Sequence, residues 1–188
     1  GYRDEPVIDH FSDRNVFDPS VRAVAHWGGT VYETIEQLVP KGIRNVIVVS
    51  AGFKESGNDR EEARIGNLAR RHNLNLIGPN CLGYYSAEHS LNLTFAASTI
   101  TKGSLALIAQ SGAVLSSLID KASQMGIGFS HVVSTGNMAD LDFAELIAML
   151  DADDQCQSIS LYAEGLQEGK AFLEALRRCT KPVRIYKA

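Results

Sequence analysis

Two kinds of segment alternate along this chain from about residue 20 onward, and that alternation restricts the fold more than any other feature. Short runs rich in β-branched and apolar residues recur at Val21 to Ala25, Asn45 to Ser50, Asn75 to Ile77, Ser104 to Ala109, His131 to Ser134, Ser158 to Tyr162 and Pro182 to Tyr186. Their near-continuous apolar character is that of strands buried on both faces. Between them, apolar residues recur at helical spacing: Val31, Ile35 and Leu38; Ala63 and Leu68; Leu115, Leu118, Ile119 and Ala122; Phe143, Leu146, Ile147 and Leu150; Phe172 and Leu176. Each such helix buries one face on a sheet. Repeated strand, helix, strand units imply parallel strands with right-handed crossovers, hence a doubly wound α/β architecture.

The pattern lapses from Cys81 to Lys102, a turn-rich and irregular stretch with neither periodicity. A domain junction is therefore expected near residue 100. Residues 21–100 read as the remainder of a Rossmann-like domain and 101–188 as a smaller flavodoxin-like one. Residues 1–20 are rich in Asp, Ser and Asn and close on Asp18 and Pro19, so an irregular or partial N-terminal segment is expected.

Composition narrows the function classes. With 188 residues, 45% of them hydrophobic, the chain can fill a core. A net charge of -4 with scattered Lys and Arg offers no basic stripe for a nucleic-acid backbone. No stretch approaches the roughly 20 apolar residues of a membrane span, and Arg3, Asp4 and Glu5 stand where a signal peptide has none of its apolar core. A cytoplasmic protein without membrane or nucleic-acid partners is expected. Cys81, Cys156 and Cys179 are odd in number and widely spaced, which argues for reduced thiols and against a structural metal.

Chemistry concentrates where predicted strands end. Gln110, Ser111, Gly112 and Ala113 follow the strand ending at Ala109 and open a helix. Free amides and the helix dipole there attract a phosphate or carboxylate. The same residues also suit a plain capped turn in which Ser111 bonds the first-turn amides. Ser50, Ala51, Gly52 and Phe53 lie at another strand's carboxyl end, where open parallel sheets bind ligands, or form an ordinary turn. Glu164 follows the strand ending at Tyr162 and could orient an imidazole or take a proton; alone it equally suits a solvated loop. Asn80, in the turn Gly78-Pro79-Asn80-Cys81, could bond a ligand or its own backbone. For Cys81 a small buried thiol is the expected role. Neither GxxxxGK[ST] nor a GxGxxG after a strand is present, so ATP binding by this chain alone is not expected.

Taken in order, several segments resemble one superfamily. They are Ser50 to Glu55, Ile77 to Gly83, Ala109 to Ala113, Gly126 to Ser130 with Ser134 to Asn137, Leu161 to Gly165 and Lys181 to Val183. The series is similar to the NDP-forming acyl-CoA synthetases, which include ADP-forming acetyl-CoA synthetase and the α subunit of succinyl-CoA synthetase, and it covers roughly residues 21 to 188. The resemblance implies a Rossmann-like CoA-binding domain, a flavodoxin-like ligase domain, and an acid:CoA ligase working through a phosphohistidine. It implies CoA or acyl-CoA and phosphate as ligands, and ATP or ADP with Mg2+ on a separate ATP-grasp unit within an oligomer. By the same resemblance Ser50 to Phe53 and Asn80 line the CoA and substrate site, Gln110 to Ala113 hold phosphate, and Glu164 orients the histidine.

Two departures stand out. The family's Gly-rich first βα turn should precede Val21, yet Gly1 to Ser20 holds none, and His26-Trp27-Gly28-Gly29 replaces an apolar, Pro-containing loop. The phosphorylated histidine belongs downstream of the segment resembling Pro182 to Ala188, so the expectation is a chain truncated at both ends whose phosphohistidine lies outside it. Two other readings stay open: a CoA or acyl-CoA sensing module without turnover, similar to the ligase-like regions fused to GNAT protein lysine acetyltransferases, and a scaffold that binds neither ligand.

Overall fold

The computed structural model describes residues 7–9, 21–25, 31–97 and 99–188. The His26 to Gly29 loop and most of the first 20 residues lie outside that set.

The first sheet runs β1 (Val7–Asp9), β2 (Val21–Ala25), β3 (Asn45–Val48) and β4 (Asn75–Ile77), in that spatial order. β2, β3 and β4 are parallel, as the repeated units require, and β1 adds antiparallel to β2. The short β1 lies within the stretch expected to be irregular. Two helices cover one face, α1 (Val31–Leu38) and α2 (Asp59–His72). Their buried stripes, Ile35 and Leu38 with Ile65, Leu68 and Ala69, meet Val46, Val48 and Leu76 in one core. In α2 the charges match the helix dipole: Asp59, Glu61 and Glu62 sit in the first turn and Arg70, Arg71 and His72 in the last.

The second sheet has six strands. β7 (Lys102–Ala109) is central, flanked in parallel by β8 (Phe129–Ser134) and β9 (Ser158–Ala163), with β10 (Val183–Lys187) beyond β9. β7 alternates its contacts: Ala106 and Ile108 pack with α4 (Phe143–Asp151) and α5 (Gly169–Arg178), and Leu107 and Ala109 with α3 (Gly112–Gln124). The sheet is thus covered on both faces, and its connections diverge between β7 and β9, the switch point of a flavodoxin-like order. An N-terminal capping box starts α4, with Asp142 accepting from Ala144 and Glu145 N and Glu145 returning to Asp142 N.

The remaining two strands are the antiparallel members of a mostly parallel second sheet. β5 (Gly83–Ser86) and β6 (Leu91–Thr94) form an antiparallel hairpin, and β5 pairs antiparallel with β8. The hairpin therefore belongs to the second sheet although it precedes residue 100. Leu91 and Leu93 are buried while Asn92 is exposed, the two-residue period of a half-covered strand. The two leucines pack with Cys81 and with Ile47, on the face of the first sheet opposite its helices. The hairpin thereby joins the two units. No helix among the described residues is long and apolar enough to cross a membrane.

Candidate functional site

At the switch point, between the carboxyl ends of β7 and β9, opens a cavity of about 680 Å³. One wall is Gln110 to Ala113 at the start of α3, another Glu164 to Gln167 after β9. Asn80 to Leu82, Gly136 to Met138 and the pair Lys54 and Glu55 complete it. The structure therefore brings Asn80, Gln110, Ser111, Gly112, Ala113 and Glu164 around one space, from positions 84 residues apart at the extremes.

Of the two roles considered for Ser111, the cap is the one seen in the structure. Ser111 is the N-cap of α3, its Oγ accepting from Val114 N at 3.3 Å and its carbonyl from Leu115 N at 3.0 Å. Capping does not consume the amides of Gly112 and Ala113, which precede the first intrahelical bond and line the cavity. A Cβ on Gly112 would meet Leu82 Cβ at 3.5 Å and nothing nearer, so the bare backbone leaves room in front of those amides.

Gln110 links the two walls. Its backbone N donates to Tyr162 O at 3.1 Å, and its Oε1 accepts from the amides of Glu164 (2.9 Å) and Gly165 (3.0 Å). Glu164 is exposed, and its carbonyl accepts from Lys187 Nζ at 2.8 Å. The backbone around Glu164 is thereby held from both neighbouring strands at the cavity wall.

The floor depends on a residue that the sequence reading quoted only within a motif. Asn137 Nδ2 donates to Glu55 Oε2 at 2.5 Å and to Glu62 Oε2 at 2.7 Å, while its Oδ1 accepts from Asn80 Nδ2 at 3.3 Å. Burial pushes the Glu55 carboxyl up, but the bonds from Asn137 and from the Gly52 and Phe53 amides prevail and hold it below its ordinary value. Gly136 (φ +54) lets this loop close on the first unit, since a Cβ there would lie 2.1 Å from Pro79 O. Asn137 N donates to Pro79 O at 2.9 Å, and Gln167 Nε2 donates to Asn137 O and Met138 O. The legible signal was positional: Asn137 follows β8 at the same sheet edge where Glu164 follows β9.

Ser50 to Phe53 stand apart from the cavity, which their neighbours Lys54 and Glu55 line. Ala51 and Gly52 are exposed, Ser50 O accepts from Asn80 N at 2.9 Å, and Gly52 N donates to Glu55 Oε1 at 2.6 Å. The Phe53 side chain is 6% exposed and packs in the first core. An aromatic ring at this turn gains more by filling the space between α2 and β3 than by facing water. Cys81 lines the cavity as a buried thiol donating to Val48 O at 3.3 Å, its pKa pushed up to about 12 by burial.

Residues 102–188 match the family described as succinyl-CoA ligase like flavodoxin domain. The α subunit of acetate–CoA ligase (ADP-forming) II from Pyrococcus furiosus is 39% identical over 162 residues, covering 84% of this chain and 35% of the subunit. Acetate–CoA ligase (ADP-forming) from Methanocaldococcus jannaschii is 40% identical over 151 residues, 80% of this chain and 21% of that enzyme. Residues 102–188 thus carry a succinyl-CoA ligase like flavodoxin domain, and the chain is homologous to ADP-forming acetate–CoA ligases. In three dimensions it resembles the dinucleotide forming acetyl-coenzyme A synthetase 1 of Ca. Korarchaeum cryptofilum, solved in complex with phosphate and ADP. There the TM-score is 0.81 at 34% identity, covering 85% of this chain and 35% of that one. The chain therefore spans about a third or less of these relatives' length.

Proposed function

We propose that the chain is the CoA-side part of an NDP-forming acid:CoA ligase, in which the α3 amides bind phosphate and Glu164 orients a phosphohistidine supplied from outside this chain. The observation that carries the reading is the cavity's pairing of an anion-binding helix start with a carboxylate. An anion beside a carboxylate is repelled unless a cation or a proton-carrying group stands between them, and an imidazole with one nitrogen toward each satisfies both. Gln110, bonded to both walls, keeps that spacing.

In this reading CoA approaches over Ser50 to Phe53, where Ala51 and Gly52 are exposed, with Asn80 between its reactive end and the phosphate. ATP or ADP and Mg2+ are handled by a separate ATP-grasp unit, which supplies and receives the phosphoryl group through the histidine. The residues described here do three things: the Gly112 and Ala113 amides hold the phosphoryl oxygens, Glu164 accepts a hydrogen bond from the imidazole N–H, and Asn137 fixes Asn80. Assembly with the ATP-grasp unit makes an oligomer the working form.

Calorimetric titration with CoA, acetyl-CoA and phosphate tests the proposal. Saturable binding of phosphate and of CoA is expected. Silence toward all three would leave a scaffold. Tight acyl-CoA binding by the complete parent protein, with no acyl-CoA formed from acid, CoA and ATP, would favour the sensing module.

A further inference from the structure

A second cavity, of about 580 Å³, lies between the two sheets and away from the first site. Its walls are apolar and come from both units: Ile47 and Ile77 from the first sheet, Tyr84 and Val133 from the second, Leu146 and Met149 from α4. Junctions of this kind, apolar with a few convergent polar groups, are where small ligands bind.

Three carboxylates, Glu88, Asp153 and Asp154, line the cavity together with His89 and the uncharged Asn45, Asn75 and Gln155, and neither lysine nor arginine does among the described residues. Asp153 and Asp154 follow the carboxyl end of α4, whose dipole adds negative potential. Lys181 offsets part of it, donating to Leu150 O at 2.7 Å and Asp153 O at 2.5 Å. His131, 6% exposed, also lines the cavity. Its Nδ1 stands 3.3 Å from Asp153 Oδ2 without the alignment of a hydrogen bond. Burial lowers its pKa against the opposing pull of Asp153, so at neutral pH the imidazole adds no positive charge.

Two other roles fail on geometry. Ser86 Oγ, His131 Nε2 and Asp153 follow one another as in an acyl-transfer triad, but Ser86 is wholly buried and its contact with His131 is 3.5 Å long. No three His, Cys, Asp or Glu side chains among the described residues converge as metal ligands. What remains is an apolar slot with an anionic rim. We infer that this cavity binds a small amphiphilic amine, its alkyl body between the sheets and its ammonium in the negative potential of the rim to which Glu88, Asp153 and Asp154 contribute.

The three methionines make the test readable: Met149 lines this cavity, Met138 the first one, and Met125 ends α3 in solvent. Methyl NMR of the chain with n-hexylamine, hexanol and hexanoate at neutral pH should show a saturable shift of Met149 with the amine, while Met125 stays still. Hexanol and hexanoate should bind roughly tenfold more weakly or worse. Glu88→Gln, at an exposed position, and Asp153→Asn should each weaken the amine several-fold while leaving the spectrum otherwise folded. Equal affinity for hexanol or hexanoate would overturn the inference. So would parallel, non-saturating shifts of Met149 and Met125, or no shift at all. A negative result here leaves the phosphate and CoA titrations unaffected, because no residue is shared between the two cavities.

Discussion

Gln110 Oε1 accepts two hydrogen bonds from the β9 side, from Glu164 N at 2.9 Å and Gly165 N at 3.0 Å, so one amide oxygen sets the gap across the switch point. Replacing it by Leu strands both amides and should cost about 1–3 kcal/mol in denaturant unfolding. Gln110→Glu keeps an acceptor and should retain most of that stability, yet it places a second carboxylate beside the anion site. Phosphate titration should therefore separate the variants, with Gln110→Glu folded and silent. Phosphate binding by Gln110→Glu equal to the parent's would remove the α3 start as the anion site.

Gly112 and Gly136 both line the cavity but should respond oppositely to a methyl group. Gly112→Ala meets only Leu82 at 3.5 Å, so its melting temperature should barely change; Gly112→Val should block phosphate with the fold intact. Gly136→Ala would drive a Cβ to 2.1 Å from Pro79 O and 2.5 Å from Asn80 O at a left-handed φ of +54. A loss of at least about 2 kcal/mol is expected. A Gly136→Ala protein as stable as the parent would show that the loop does not close on the first unit.

Asn137 gives both its amide protons to carboxylates, and the pH dependence of stability should report it. Glu55 has a folded-state pKa below its ordinary 4.5, so its share of stability is present above that value and is lost as pH falls through the lower folded value. Glu55→Gln should flatten acid unfolding in that range, by no more than about 1 kcal/mol because the group is exposed and screened. Asn137→Asp should do the reverse of Asn: three carboxylates then converge, and the variant should be less stable at pH 7 and regain stability on acidification.

The fold was legible wherever burial made a strand continuously apolar. β2 and β4 match their predicted bounds, and β7 to β10 differ by one or two residues at either end. The hairpin of β5 and β6 was not, because each strand has four residues and Ala87 to Ser90 interrupts the pattern. In Leu91-Asn92-Leu93-Thr94 the alternation is present but too short to outweigh the flanking turn residues. That Gln110 to Ala113 and Glu164 would lie at one sheet edge was legible because position after a strand carries meaning in a parallel sheet. Asn137 and Glu62 were not, since their pairing spans 75 residues and exists only once the two units meet. A buried acid on a helix carries no local sign of its partner.

Thiol accessibility gives a further check on the cavity wall. Cys81 is buried and held protonated far above neutral pH, and it donates to Val48 O, so cavity access should not make it reactive. Native alkylation at pH 8 followed by peptide mass mapping should find Cys179, which is only half-buried, modified well before Cys81 and Cys156. Rapid modification of Cys81 would mean that the wall opens.

Asp140 offers the cleanest test of how the two units are held. It lies in the loop after β8, its Oδ2 accepts from Leu76 N of β4 at 3.1 Å, and Oδ1 is 3.9 Å from Arg70 of α2. Burial raises its pKa above the ordinary 3.8, with the Leu76 amide and Arg70 pulling only partly the other way. A carboxyl whose folded pKa is raised binds its proton more tightly in the folded state, so stability falls as pH rises through the window above 3.8 and the charge is a net penalty at pH 7. Asp140→Asn keeps an acceptor for Leu76 N and removes that charge. It should be equal to the parent or more stable at pH 7, by under about 1 kcal/mol after solvent screening, with the difference vanishing in acid. Asp140→Leu removes the acceptor as well and should cost about 1–3 kcal/mol at either pH. If Asp140→Asn were instead clearly destabilised at pH 7, the ion pair with Arg70 would outweigh the burial of the carboxylate, and Asp140 would hold the loop by charge rather than by accepting from Leu76 N.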